Sequence, residues 1–524
     1  MAFAFVSCKY HWPAWRLASA ILRCNKNSSP EWYLLASIHY DFKRFEQSEY
    51  CARIAFELAP ESKLIATLLG GTLCEQTKTD EGIDFLRRGI KNKDTDYSLM
   101  TGLAFMLSHS SKASIKEILQ VHEDYAHGVK KWAQAQDFSG YINKDRNPKR
   151  KLRIGFVSGD FRDRHPVSFF FSPIWHSLDR NKFELYAYSN IAAHYENEGT
   201  ERFKATADHW RNVRHIGDRE MAEMVKMDEI DILVDLSGYT SDHRLPVFAL
   251  KPAPVQISWV GYHATTGLDT MDYYATIFPV KKSAELEQQF TEKLIYMYLP
   301  KNFDQNGESV SINELPALNN GYFTFGSFNR TNKLNDRVFD TWAAVLKSVP
   351  DSRMVVGNMP KVVWEDVTRQ FTCRGIDTQR FELRELVGME TYLSYHNDVD
   401  LLLDTFPFTG GTVTSHAAWM GVPTVSFAGE TLVSRQGAAI MYSLRLPQFV
   451  AENIDEYVQI ATQWAAKPEE LNHIRQELRS RMSIQSDNQQ QIGEMVEQMF
   501  RTCWKRYCED KAPESFSIGH SPDF

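Results

Sequence analysis

The stretch DTFPFTGGTVTSHAAWMGVPTVSF, residues 404 to 427, places two glycines and a threonine cluster between a strand-like run and a small-residue helical run. Glycine lets backbone approach a ligand closely, and a helix starting at Thr412 would aim free N–H groups and its positive dipole end into the turn. Gly410, Gly411, Thr412 and Val413 therefore form a candidate anion site. Arg330 and Lys333, at the end of FGSFNRTNK (325 to 333), would supply the cations that a diphosphate requires. Other polar clusters follow strand-like runs at Asp160 to His165, Ser237 to Thr240 and Gly261 to Gly267.

Other chemistries find less support. Asp94-Thr95-Asp96 falls in a helical region, and Asp398-Val399-Asp400 precedes the strand-like LLLDTF, at the wrong sheet edge to hold a metal against a nucleotide diphosphate. His165, His263 and His416 lack metal-ligand spacing, and without a Walker loop or Gly-x-Ser-x-Gly elbow the NTPase and hydrolase readings weaken. The seven cysteines form no CxxC pair, which fits a reducing cytoplasm. Lys9, His11, Pro13 and Arg16 interrupt the opening residues before a signal-peptide core develops, so the chain is expected not to be exported. No run of ~18 apolar residues suggests a membrane span. A net charge of −8 argues against a nucleic-acid surface, and the basic KDRNPKRKLR (144 to 153) reads as a solvated linker.

These residues need elements to position them. At 524 residues the chain fits about three domains. Trp32, Leu35, Ala36, Ser48, Ala52, Ala55 and Pro60 have the offsets of a tetratricopeptide helix hairpin. A shift of 34 repeats the pattern at Ala66, Leu69, Gly70, Leu73, Gly82, Leu86 and Gly89, and a degraded unit lies near Met100 to Gln120. So short a stack must be capped, most simply by the next domain. It reads equally as a protein-docking surface or as a brace. From residue 152, LRIGFVSGDF, FELYAYSN, DILVDLSGYT, VQISWVGY and KLIYMYL read as strands of one α/β unit; FTFGSFN, SRMVVGN, VDLLLDTF and TVSF read as strands of a second. Near-continuous apolar strands predict doubly wound parallel sheets, with ligands beyond their carboxyl ends. The apolar spacing of EMVEQMFRTCWKRY (494 to 507) predicts a helix packing back onto the first unit.

The segments HPVSFFF (165 to 171), DLSGYT (235 to 240), FALKPAPVQISWVGYHATTGLDTMDYY (248 to 274), FGSFNRTNK, DTFPFTGGTVTSHAAWMGVPTV (404 to 425) and GETLVSR (429 to 435) resemble the O-linked N-acetylglucosamine transferase and SPINDLY-like family. The resemblance runs in order from about 152 to 510 and implies a GT-B fold: two facing doubly wound parallel-sheet domains behind an all-α tetratricopeptide-like region. The implied domains are 1–145 (repeats), 146–310 (first Rossmann-like, acceptor side), 311–475 (second, nucleotide-sugar side) and 476–524 (C-terminal helices and tail).

The implied activity is metal-independent, inverting transfer of a sugar from a nucleotide donor, UDP-GlcNAc before others, to Ser or Thr of proteins. No cofactor is implied. On the matching positions, Lys333 holds the diphosphate and stabilises the leaving group, while Gly410, Gly411, Thr412 and Val413 cradle it. His165 matches the active-site histidine, Thr240 and Gly261 line the sugar pocket, Tyr392 lies beside the nucleobase, His416 contacts the ribose, and Arg435 lies in the matching GET-x-x-SR segment. Arg330, Tyr392, His416 and Phe408 depart from the animal enzymes, which leaves asparagine-linked glucose transfer, O-fucose transfer or a non-catalytic nucleotide-sensing adaptor as alternatives. The compact form suggests a bacterial cytoplasmic protein with envelope or flagellar acceptors.

Overall fold

The computed structural model describes residues 11–91, 96–142, 145–299, 310–486 and 489–520. Cys8, Lys9, Asp94, Thr95 and Lys144 lie outside the described residues.

The N-terminal region is a run of helices, from His11–Cys24 to Ile115–Gln134. Small residues let the helices cross closely: a Cβ on Gly82 would come 2.8 Å from the Gly70 carbonyl, and one on Gly89 would lie 3.0 Å from Ala66. Ala52, Ala55, Ala66, Leu69, Leu73 and Leu86 fill the core between them. The degraded third unit consists of Tyr97–Leu107 and the longer Ile115–Gln134. Tyr125 and Val129 of the latter share a core with Leu245, Phe248 and Tyr262 of the first α/β unit.

The first sheet comprises β1 (Leu152–Ser158), β2 (Phe183–Ser189), β3 (His209–Asn212), β4 (Ile232–Asp235), β5 (Val255–Trp259), β6 (Tyr273–Ala275) and β7 (Lys293–Met297). The second comprises β8 (Thr324–Ser327), β9 (Arg353–Met359), β10 (Phe381–Glu385), β11 (Leu401–Leu403), β12 (Thr424–Phe427) and β13 (Val450–Ala451). A last strand, β14 (Phe516–Ile518), joins β7. The orders are β14-β7-β6-β5-β4-β1-β2-β3 and β10-β9-β8-β11-β12-β13, with parallel pairing throughout. Sequence patterning missed β3, β6, β10, β13 and β14. Four of these, β3, β10, β13 and β14, are edge strands, where one neighbour suffices and polar residues such as those of HWRN and FELRE are tolerated. β6 and β13 span only three and two residues.

This topology puts the polar clusters where ligands bind. Strand order reverses at β1/β4 in the first sheet and at β8/β11 in the second. The Asp160–His165 and Ser237–Thr240 segments leave the first switch point; Asn329–Lys333 and Asp404–Val413 leave the second.

The C-terminal helices divide between the two units. Pro468–Ser486 packs on helix Thr412–Trp419, and its fully buried Arg475 donates to the Val399, His396 and Asn313 carbonyls, so the boundary placed at 475 falls inside an element of the second unit. Gln489–Cys508 packs on Pro166–Ser177 of the first unit, as the apolar spacing of 494–507 predicts. The basic 144–153 segment is more than a solvated linker: Arg150 pairs with both carboxylate oxygens of fully buried Asp231 and stacks on Trp504 at 4.8 Å. Asp400 accepts the Ala317 and Thr324 amides at 2.8 and 2.7 Å, and Asp398 is paired with Arg384. These are structural roles at the amino end of β11.

Candidate functional site

The loop after β11 is closed by one carboxylate. Asp404, fully buried, accepts the Gly410 amide at 2.7 Å and the Thr405 amide at 2.8 Å on one oxygen, and the Ser426 hydroxyl at 2.7 Å on the other. Burial pushes this carboxyl up from its ordinary range, against the hydrogen bond from Ser426 and the charge of Lys333. The glycines allow the closure: a Cβ on Gly410 would meet Thr414 Oγ1 at 2.5 Å, and one on Gly411 would meet Gln436 Oε1 at 2.8 Å. Helix Thr412–Trp419 then begins without a side-chain cap, and Ser415 donates back to the Gly411 carbonyl. Among the described residues nothing accepts the amides of Thr412, Val413 and Thr414, so three N–H groups and the helix dipole face the turn.

Lys333 ends the short turn Thr331–Lys333 after β8. Its Nζ donates to the Thr409 carbonyl at 2.9 Å, reaches Asn329 Oδ1 at 3.4 Å and sits 4.5 Å from the centre of the Phe408 ring. Burial lowers its pKa to about 8; Asp404 opposes this and the Arg330 charge adds to it. Lys333 and residues 410–413 thus come together as the sequence implied. The repeat region supplies what sequence reasoning missed. His109, buried, stacks on Phe408 with ring centres 4.2 Å apart, and Phe105 packs on the same ring edge-on at 6.2 Å. The available signal was a histidine between serines in the degraded repeat.

Arg330 is exposed, and its charge acts on Tyr40, His109, His165 and Lys333, which places it where the repeat region and both α/β units meet. Across the cleft, His165 is the N-cap residue of helix Pro166–Ser177 but makes no capping bond. Its Nε2 lies 3.4 Å from Asp160 Oδ1, and its Nδ1 is buried without a hydrogen-bond partner among the described residues. Burial first, then the Arg162 and Arg330 charges, lowers the imidazole to about 3, so it is neutral at physiological pH. Burial raises Asp160 to about 6. The Thr240 hydroxyl donates to the Ser237 carbonyl at 2.8 Å, which turns the chain after β4. Gly261 has no room for a side chain, since a Cβ would lie 2.2 Å from the Leu236 carbonyl.

One turn further along the helix, His416 Nδ1 and the Tyr392 hydroxyl are 3.3 Å apart, and Phe169 of the first unit meets the His416 ring edge-on at 5.4 Å. Burial lowers His416 to about 3. Tyr392 and His416 form a second, mainly apolar cluster with Phe328 and His396. Arg435 stands apart: it donates to the Gly429 carbonyl at 2.7 Å and lines a groove with Glu285 and Glu430.

A sequence model of glycosyl transferase family 41 matches residues 105–308 and 305–491. The chain belongs to glycosyltransferase family 41. The match begins inside the helical region and takes in His109. Relatives named as probable UDP-N-acetylglucosamine–peptide N-acetylglucosaminyltransferase SPINDLY include those of Petunia hybrida, 31% identical over 78% of this chain and 44% of that protein, and Arabidopsis thaliana, 32% over 76% and 44%. The family 41 chain spans under half the length of these relatives. A solved structure of a mutant Thermobaculum terrenum O-GlcNAc transferase is 28% identical, with a TM-score of 0.87 and 97% of each chain covered. The fold is GT-B, behind an N-terminal helical repeat region. No described helix is long and apolar enough to cross a membrane.

Proposed function

We propose that this family 41 chain transfers N-acetylglucosamine from UDP-GlcNAc to Ser or Thr hydroxyls of protein acceptors. The observation that carries the reading is the Lys333 ammonium held by the Thr409 carbonyl, next to a helix start with three free amides. In an in-line displacement the acceptor oxygen bonds to the anomeric carbon as the carbon–oxygen bond to the diphosphate breaks, inverting that carbon. The electron pair leaves on the diphosphate, where preorganised positive groups are worth most. Lys333, Arg330 and the amides of Thr412 and Val413 supply that field, and the reading assigns no metal or cofactor.

The acceptor hydroxyl passes its proton to a base as the new bond forms. With a pKa near 3, His165 is too weak a base to be fully effective in the unliganded state. A bound diphosphate beside Arg330 would offset one of the two cations that depress it. Thr240 and Gly261 lie at the carboxyl end of the first sheet, where the sugar would stand, and Tyr392 and His416 form the surface for the nucleoside. The names and titles of the relatives support the choice of donor. Acceptors are proposed to be proteins of a bacterial cytoplasm, with envelope or flagellar proteins as candidates.

The test is incubation with a panel of sugar nucleotides and Ser/Thr- or Asn-containing peptides, read by intact mass. An N-acetylhexosamine increment that depends on UDP-GlcNAc and on the hydroxyl supports the reading. A hexose or deoxyhexose increment replaces the donor, and nucleotide binding without transfer replaces the enzyme with a sensor.

A further inference from the structure

The helical repeat region reaches Lys333 by two routes. The Thr331 hydroxyl donates to the Glu75 carbonyl at 2.9 Å, and the Thr79 hydroxyl lies 3.5 Å from the Asn332 carbonyl, so the turn that ends in Lys333 is tied to a loop between two repeat helices. The second route passes through aromatic rings. His109 Nδ1 donates to the Phe105 carbonyl at 2.8 Å, which orients the imidazole, and that ring lies 23° from parallel to Phe408. The Phe408 ring is therefore shared: the imidazole stacks on it at 4.2 Å and the Lys333 ammonium sits 4.5 Å from its centre.

We propose that His109 is a positioning residue for Lys333: it braces the Phe408 ring, which in turn helps hold the ammonium against the Thr409 carbonyl beside the start of helix Thr412–Trp419. The repeat region on this account completes the reaction centre instead of only presenting acceptors. The kinetic part of the proposal rests on the transferase reading; the geometric part does not.

Ser108 and Ser110, on either side of His109 in the chain, and Phe406 and Pro407, just before Phe408, line a cavity of about 350 Å³. Removal of the imidazole would loosen the packing between this cavity and Phe408 and admit water to the ammonium, which favours the charged form. The other charged or titratable groups whose fields couple to Lys333 are Asp404 after β11, Arg330 on its own turn and His263 after β5. None of these changes when His109 is replaced. Burial and the Lys333 and Arg330 charges keep His109 itself neutral, at about 3.

The test uses the full chain and compares wild type with His109→Ala, His109→Phe and Phe408→Leu. Lysine carrying 13C at Cε gives the titration of each ammonium by NMR, with the Lys333 signal assigned by its loss in Lys333→Met. The expected wild-type value is about 8. It should rise by about one unit or more, a tenfold change in proton affinity, in His109→Ala and Phe408→Leu, and return in His109→Phe. In transfer assays His109→Ala should lower kcat about tenfold while the donor KM stays nearly unchanged, with the alkaline limb moving upward in parallel. If His109→Ala unfolds, Phe408→Leu carries the same expectation. An unmoved Lys333 titration in a folded variant, no rescue by His109→Phe, or an ordinary lysine value in wild type would overturn the proposal. A wild type that transfers no sugar but shows the expected titrations would remove the transferase reading and leave the brace standing.

Discussion

At the residue scale, the account rests on how Lys333 is held. A cation in a partly water-excluded site stabilises a departing diphosphate far more than one in bulk solvent. Lys333→Met keeps the length of the side chain and removes the charge, so it should lower kcat roughly 10²–10³-fold with little change in thermal midpoint. Steady-state kinetics and a melting curve check both halves. The pH dependence has a definite sign: Lys333 is charged below its pKa of about 8 and loses the charge above it. The profile of kcat/KM should therefore fall on the alkaline side near pH 8, whereas a surface lysine would place the limb near 10. Lys333 and the 410–413 turn were legible in the sequence because polar and glycine residues abruptly follow apolar strands. His109 was not. Its importance comes from a long-range stack between a repeat helix end and Phe408, and a single imidazole in a degraded repeat has no local pattern to announce it.

At the element scale, the turn is shaped by close approach more than by propensity. Asp404 gathers the Gly410 and Thr405 amides and Ser426, and helix Gln436–Ser443 must pass directly beside it. Gly437 makes that possible, since a Cβ there would stand 2.2 Å from Asp404 Oδ2 and 2.3 Å from Ser426 Oγ. Gly437→Ala should destabilise the second unit by about 1–3 kcal/mol and weaken donor binding together with it. Thermal unfolding monitored alongside nucleotide titration checks this, and an unchanged midpoint would show that the loop relaxes freely. The apolar central strands β1, β4, β5 and β8 were readable as buried runs. The edge strands β3, β10, β13 and β14 and the short β6 were not, because pairing with a formed neighbour, absent from any local window, holds them in place.

At the scale of the whole molecule, three regions meet at one cleft. The repeat region bonds to both units: the Thr331 hydroxyl donates to Glu75, and the His122 imidazole lies 3.2 Å from the Tyr262 hydroxyl. A chain shortened to begin near residue 145 should consequently lose transfer even to a minimal hydroxyl peptide, whereas a pure docking role for the repeats would spare it. Composition and periodicity separated the repeats from the α/β units. They could not show that the two interlock, because the contacts join residues more than 100 positions apart. The measurement that bears most directly on the central claim is a crystal structure with UDP-GlcNAc bound, wild type beside Lys333→Met. The account predicts the diphosphate against Lys333 Nζ and the amides of Thr412 and Val413, and weaker phosphate density in the variant. A diphosphate lodged elsewhere, or the same pose and affinity without the lysine, would contradict it.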